Sequence, residues 1–242
     1  MTPVRLAMWS GPRNISTAMM RSWEARGDCA VIDEPLYARY LKLTGAPHPG
    51  RDEVIASHES DLSRIVETLA GPVPGGKDVY YQKHMAHHLL PGDDTAWIAS
   101  LTNAFLIRDP KAMLISLSKV TPNPGVRDTG LPQQWALFEG ERRRLGRMPP
   151  VIDSSDVLRD PPRMLAQLCA ALGVDYTPKM LAWPAGPRTT DGVWAKHWYA
   201  AVERSTGFEP AREAEEPLPE RLRAVHDECA ALYSRLHAAR LG

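Results

Sequence analysis

The sequence is short of the features that fix a function class outright. Its three cysteines, Cys29, Cys169 and Cys229, are odd in number and far apart. They offer neither a disulfide framework nor a zinc-ligand spacing, and each sits in an apolar pattern that reads as a reduced core thiol. Neither sign of charge is in excess: lysine plus arginine and aspartate plus glutamate stand at 29 each. That balance removes the global field that draws a protein to nucleic acid or to an acidic membrane, so any anion site has to be local. No apolar run approaches the roughly 20 residues that span a bilayer, and the N-terminus lacks the basic start and apolar core of a signal peptide. The expectation is a soluble, cytoplasmic protein with no nucleic-acid or membrane partner. No internal repeat is visible, and 242 residues suffice for one domain, spanning 1–242, with a full core.

What the chain does have is alternation. Val4, Leu6, Met8 and Trp9 mark an apolar strand, and Ile15, Ala18, Met19, Ser22 and Trp23 follow at helical spacing. Further short strands are expected at 29–32, 78–84, 104–108 and 150–153. Helices are expected at 51–70, with Val54, Ile55, His58, Leu62, Ile65, Val66 and Leu69 on one face, and at 110–119, 161–172 and 219–240. Strand–helix alternation predicts an α/β fold with a parallel sheet of about five strands, and in such folds the loops at the carboxyl ends of the strands make the site.

Four segments fall at those ends. Between the first strand and helix lies Trp9-Ser10-Gly11-Pro12-Arg13-Asn14-Ile15-Ser16-Thr17. Free N–H groups at such a helix start, with the positive end of its dipole, attract phosphate or sulfate. Aligned on Gly11, the G-x-x-x-x-G-K-[ST] pattern would place its second glycine, lysine and magnesium-binding hydroxyl at Ser16, Thr17 and Ala18. The ATP- or GTP-hydrolase loop therefore fits poorly, and an ordinary helix start capped by Ser16 and Thr17 stays open. Arg108 ends the strand Phe105-Leu106-Ile107, with Ser116 two helical turns on. That pair converges on one phosphate, unless Arg108 pairs with Asp109 and Ser116 faces solvent. Asp33-Glu34-Pro35 follows the second strand and offers either a carboxylate base or a plain surface turn. The third strand runs into Gln82-Lys83-His84-Met85-Ala86-His87-His88. No carboxylate or cysteine spacing completes a ligand set around these histidines, so no metal is expected.

Together these segments resemble the sulfotransferases that use 3′-phosphoadenosine-5′-phosphosulfate, whose loop carries a basic residue, a short spacer and a Ser/Thr pair. The resemblance implies a P-loop-type three-layer sandwich in which Gly11, Pro12, Arg13, Asn14, Ile15, Ser16 and Thr17 hold the 5′-phosphosulfate. Arg108 and Ser116 would then hold the 3′-phosphate. In bacterial and glycan-modifying members the base is a glutamate, here Glu34; in cytosolic members it is a histidine, here His84, with Lys83 and Arg13 steadying the leaving phosphate. Residues 151–158 read as scaffold. Residues 188–198 are similar to the C-terminal loop that folds over the nucleotide, which would give Arg188 or Lys196 to the 3′-phosphate and make 184–217 a lid. The usual adjacent Arg-Lys-Gly is missing there, and Trp183, Trp194, Trp198 and Tyr199 serve equally as packing. The implied reaction moves a sulfuryl group to a hydroxyl or amine of a small-molecule acceptor without a metal. A kinase on the same fold is disfavoured by Thr17 and Ala18, and a non-catalytic nucleotide-binding accessory protein is the other alternative. The amphipathic last helix is a candidate homodimer surface.

Overall fold

A computed structural model describes residues 3–210 and 216–242. Val4–Ser10 (β1), Cys29–Asp33 (β2), Val79–Met85 (β3), Thr102–Ile107 (β4) and Val151–Asp153 (β5) form one sheet in the order β2-β3-β1-β4-β5. Every pairing is parallel, so all five strands deliver their carboxyl ends to the same edge. The crossovers that parallel strands require place helices on both faces. Alternate strand residues show how. Leu6, Met8, Tyr81 and Leu106 pack against Ser16–Glu24 (α1) and Pro161–Leu172 (α8). Ala7, Trp9, Phe105 and Ile107 pack against Leu62–Ala70 (α4), Pro110–Leu117 (α5), Leu131–Leu145 (α6) and Arg223–Ala238 (α11). Successive side chains of a strand point to opposite faces, so one strand feeds two cores. A smaller cluster joins Tyr37–Thr44 (α2), Arg51–Ser57 (α3) and Ala195–Trp198 (α9) through Tyr37, Leu41, Val54 and Trp194. Ser154–Arg159 (α7) and Ala200–Arg204 (α10) complete the set.

The structure departs from the sequence reading in several places. The single helix expected at 51–70 is two, because His58 is extended and Asp61 caps α4 by accepting from the Arg64 amide at 3.1 Å. Glu59 Oε1 also accepts from the Ser60 and Asp61 amides at 2.7 and 2.8 Å, and such local acceptors replace the partners a continuous helix supplies. Neither α2 nor α6 was expected. The inward face of α6 carries Gln133, Gln134 and Glu141 beside Leu131 and Phe138, which hides its apolar stripe. Finally, the apolar stripe of α11 packs into the second core, with Cys229 and Leu236 fully enclosed. Among the described residues no helix is long and apolar enough to cross a membrane.

Candidate active site

At the end of β1, Gly11 is required by space: a Cβ there would stand 2.3 Å from the Thr129 carbonyl oxygen. That backbone approach seats residues 126–130 on the loop. Gly11→Ala should therefore lower stability by about 1–3 kcal/mol, the usual penalty of overpacking, read as a fall in melting temperature. Gln134 on α6 donates to the carbonyls of Trp9 and Leu106 at 2.8 and 3.0 Å, clamping β1 to β4 at their carboxyl ends. Asn14 donates to the Leu106 carbonyl at 3.1 Å and accepts from the Ile15 amide at 2.9 Å.

The two arginines meet here. Arg13 Nε donates to Ser116 Oγ at 3.0 Å, and Arg108 donates to the Arg13 carbonyl. Among the described residues their polar partners are thus a hydroxyl and a carbonyl, not carboxylates. Burial, and then the neighbouring Arg13 charge, lower the Arg108 pKa from its ordinary value. Asp109 and Asp153 offset part of that charge at a distance, and two neighbouring guanidiniums with no carboxylate in hydrogen-bond contact among the described residues favour an anion between them. A small, shallow cleft lies between Gly11, Pro12, Asn14 and Arg108. Ser16 and Thr17 begin α1, and helix geometry leaves the first amides of such a helix without intrahelical acceptors.

A second assembly lies at β2 and β3. Lys83 Nζ donates to Asp33 Oδ1 at 2.9 Å, to Glu34 Oε1 at 2.8 Å and to the Tyr199 hydroxyl. Tyr199 donates in turn to Asp33 Oδ2 at 2.7 Å, and Trp194 Nε1 donates to the Tyr199 oxygen at 3.2 Å. The Gly192 amide also reaches Asp33 Oδ2, at 3.2 Å. Lys83 and Asp33 side chains are 1% exposed, whereas Glu34 is 12% exposed, so Glu34 is the member that faces outward. Burial raises the Glu34 carboxyl above the usual carboxylate range; Lys83 pulls it back, and the Asp33 charge adds to the rise. Burial alone would lower Lys83, but Asp33, Glu34 and Tyr199 hold it well above the ordinary lysine value.

Backbone strain singles out one residue in each assembly. Among the described residues, Arg13 (φ 54°) and Glu34 (φ 41°) are the non-glycine residues at positive φ. That conformation costs an L-residue about 1–2 kcal/mol and persists where the surroundings impose it, commonly at functional sites.

Other sequence-derived candidates are placed elsewhere. His84 neighbours Lys83 on the strand and so points to the opposite face, where it stacks on Trp9 at 4.3 Å between ring centroids. Its ring nitrogen meets Gln82 Oε1 at 3.2 Å, and burial pushes its pKa down to about 3. The structure does not bring it to Glu34. Lys83 is present but has all three N–H donors engaged, leaving none for a departing phosphate oxygen. Arg188 pairs with Glu24 at 3.5 Å, at the far end of α1, roughly 12 Å of helix from the loop. Lys196 pairs with Glu53 on α3 at 2.5 Å. Neither reaches Arg108. Asp191 pairs with Arg21 at 2.7 Å, so residues 188–199 brace α1 and the edge of β2, not the anion loop. The remainder of the proposed lid includes residues 211–215, which lie outside the described residues. Among the described residues no group of histidine, cysteine and carboxylate side chains is arranged to hold a metal. His88 is instead stacked between Tyr37 and Tyr40 at 4.8 and 4.7 Å.

Asp33, Tyr199 and Gln134 were missed as site residues. Asp33 had a signal, its adjacency to Glu34; Gln134 had none.

An all-parallel sheet whose central strand delivers an arginine-bearing loop, without the Walker lysine, defines an anion-receptive α/β domain of the group-transfer type. The chain belongs to the sulfotransferase domain family, whose model matches residues 4–239. It is 33% identical over 228 residues to branched-chain-amino-acid aminotransferase-like protein 2 of Arabidopsis thaliana, covering 94% of this chain and 40% of that protein. The chain thus spans about two fifths of that relative's length. Among solved structures, it is similar to the sulfotransferase domain of the Synechococcus PCC 7002 olefin synthase (14% identity, TM-score 0.51, covering 95% of this chain and 94% of that one). It is also similar to a sulfotransferase from Alicyclobacillus acidocaldarius (15% identity, TM-score 0.50, covering 100% and 98%). At such identities the likeness establishes the fold.

Proposed function

We propose that this domain moves a sulfuryl group from 3′-phosphoadenosine-5′-phosphosulfate to a hydroxyl or amine of a small-molecule acceptor. The observation that carries the reading is the pairing of Arg13 with Arg108 and Ser116 at one edge of the sheet, without carboxylate partners among the described residues. A doubly anionic nucleotide end supplies what those cations lack. Arg13, Ser16, Thr17 and the amides of residues 11–17 would hold the 5′-phosphosulfate, and Arg108 with Ser116 the 3′-phosphate.

Glu34 is the base in this scheme. Its raised pKa makes it a stronger proton acceptor than an ordinary carboxylate. As the acceptor oxygen or nitrogen bonds to sulfur, its proton passes to Glu34 and the bond from sulfur to the bridging oxygen breaks. Arg13 stabilises the charge left on that oxygen. Lys83 acts through Glu34, fixing the carboxylate with its 2.8 Å contact, and is a positioning residue. The three cysteines are buried and unbridged, which supports a reducing, cytoplasmic setting.

3′-Phosphoadenosine-5′-phosphate should raise the melting temperature, by an amount equivalent to about 2.7 kcal/mol at a hundredfold excess over Kd, while Mg-ATP does little. Stabilisation by Mg-ATP in its place would favour a kinase. Arg108→Ala should weaken binding of the bisphosphate by about 1.5–3 kcal/mol, the worth of a hydrogen bond to a charged group. Unchanged affinity in a calorimetric titration would remove Arg108 from the site.

A further inference from the structure

Residues 188–199 do not reach the arginine loop, yet they are fitted closely onto the assembly at β2 and β3. Gly192 has no room for a side chain, since a Cβ there would overlap the Trp194 ring. Its amide donates to Asp33 Oδ2, and Trp194, 1% exposed, meets Tyr37 edge-on at 5.0 Å between ring centroids. The segment ends by burying Tyr199 beside Asp33 and Lys83.

Those three side chains close a ring. Lys83 Nζ donates to Asp33 Oδ1 and to the Tyr199 oxygen, and Tyr199 donates to Asp33 Oδ2. The Tyr199 oxygen also accepts from Trp194 Nε1, which fills its second lone pair and leaves its own proton to Asp33. Two of the lysine's three N–H groups are thereby occupied, and the third goes to Glu34 Oε1. Glu34 Oε2 accepts from nothing among the described residues, yet it is not sealed from solvent. Tyr37 on α2, the other titratable neighbour, keeps its hydroxyl on His48 Nδ1 at 2.8 Å, and burial holds it protonated.

We propose that Tyr199 is a positioning residue for Glu34: by closing the ring with Asp33 it fixes Lys83 so that a single N–H reaches Glu34, at Oε1, and Oε2 stays free for the acceptor's proton. The inference rests on the reading of Glu34 as the base. An ammonium on a four-carbon stem is otherwise a mobile point charge with three rotatable donors. Held loosely, it would engage both oxygens of Glu34, and each hydrogen bond to the ionised form makes a carboxylate a weaker base. The ring prevents that. Residues 188–199 thus complete the acceptor half of the site and do not cover the nucleotide.

The test is Tyr199→Phe, which keeps the aromatic ring and removes only the hydroxyl. Lys83 then has a free N–H, Glu34 Oε2 is the acceptor without a partner, and Asp33 Oδ2 retains the Gly192 amide. In the whole chain labelled with 13C at its glutamate carboxyls, the Glu34 resonance is identified by its absence from Glu34→Gln. Its titration midpoint should fall by about one pH unit in Tyr199→Phe, and turnover at neutral pH should fall several-fold with it. Trp194→Phe removes a hydrogen bond to the same oxygen but leaves the ring closed, so it should not move the midpoint. A second measurement needs no variant. Lys83 is the buried lysine among the described residues, and with every donor engaged its ammonium should give one slowly exchanging 15N signal at pH 7. A midpoint unchanged or raised in Tyr199→Phe, an equal fall in Trp194→Phe, or no protected ammonium signal would each overturn the proposal while leaving the base reading standing. Near-native turnover in Glu34→Gln, with the midpoint shift intact, would overturn that reading and the proposal with it.

Discussion

Glu34→Gln should lower turnover by about 100- to 10,000-fold, the usual contribution of a general base, while binding of the bisphosphate nucleotide and the melting temperature at neutral pH are preserved. Those readouts part company for a physical reason. Glutamine keeps the shape of the side chain and can still accept from Lys83, but it takes no proton from an acceptor. Stability follows from the direction of the carboxyl shift. A carboxyl raised in the folded state holds its proton at pH values where the unfolded chain has lost it. It favours the fold below the unfolded pKa, and that contribution disappears as pH rises through the folded value. The native cluster sets two carboxyl groups, Asp33 and Glu34, against one lysine ammonium. Glutamine removes the surplus charge, so stability at pH 7 should be equal or higher. Single-turnover rates and melting curves on the same preparation decide the matter: a near-native rate takes the proton-accepting role away from Glu34.

Acid should unfold the protein well above the pH at which its carboxylates protonate. Burial pushes His84 and His87 down to about 3 and His88 well below the ordinary value. Unfolded histidines bind protons from about pH 6.5 downward, whereas these three stay neutral in the fold. Between pH 6.5 and 3 the unfolded chain thus holds more protons, and stability falls as pH falls. At pH 5 each such group costs about 2 kcal/mol, so three together reach the order of a typical domain's whole stability. Urea titrations at pH 7 and pH 5 measure the difference. His84→Phe retains the stack on Trp9 and removes one titrating ring, so the loss between the two pH values should shrink by about 2 kcal/mol. An unchanged loss would show that His84 does not govern the acid limb.

The parallel sheet and most of its strands were legible in the sequence because apolar runs between polar turns carry a strong local signal. The arginine loop was legible too, since Gly11, Arg13 and the Ser16-Thr17 pair stand contiguous. What could not be read was anything assembled from distant residues. Tyr199 reaches Asp33 across 166 positions, and Gln134 reaches Trp9 across 125; neither has a local pattern. Helix α6 was hidden by its own buried glutamines. Lys83 and His84 looked like partners because they are adjacent in sequence, yet adjacency on a strand is what separates them. Arg188 and Lys196 look like free cations until Glu24 and Glu53 are found beside them.

The strand order β2-β3-β1-β4-β5 has a consequence for how such a domain diversifies. On the proposed reading, the donor is gripped from β1 and β4 and the acceptor is activated from β2 and β3, with the outer strands of the two halves about 14 Å apart at ordinary sheet spacing. The two substrates are thus recognised by separate stretches of chain. Mutations around residues 33–58 explore new acceptors while the arginine grip is inherited intact, so the sheet works as a hinge line between a fixed trait and a variable one.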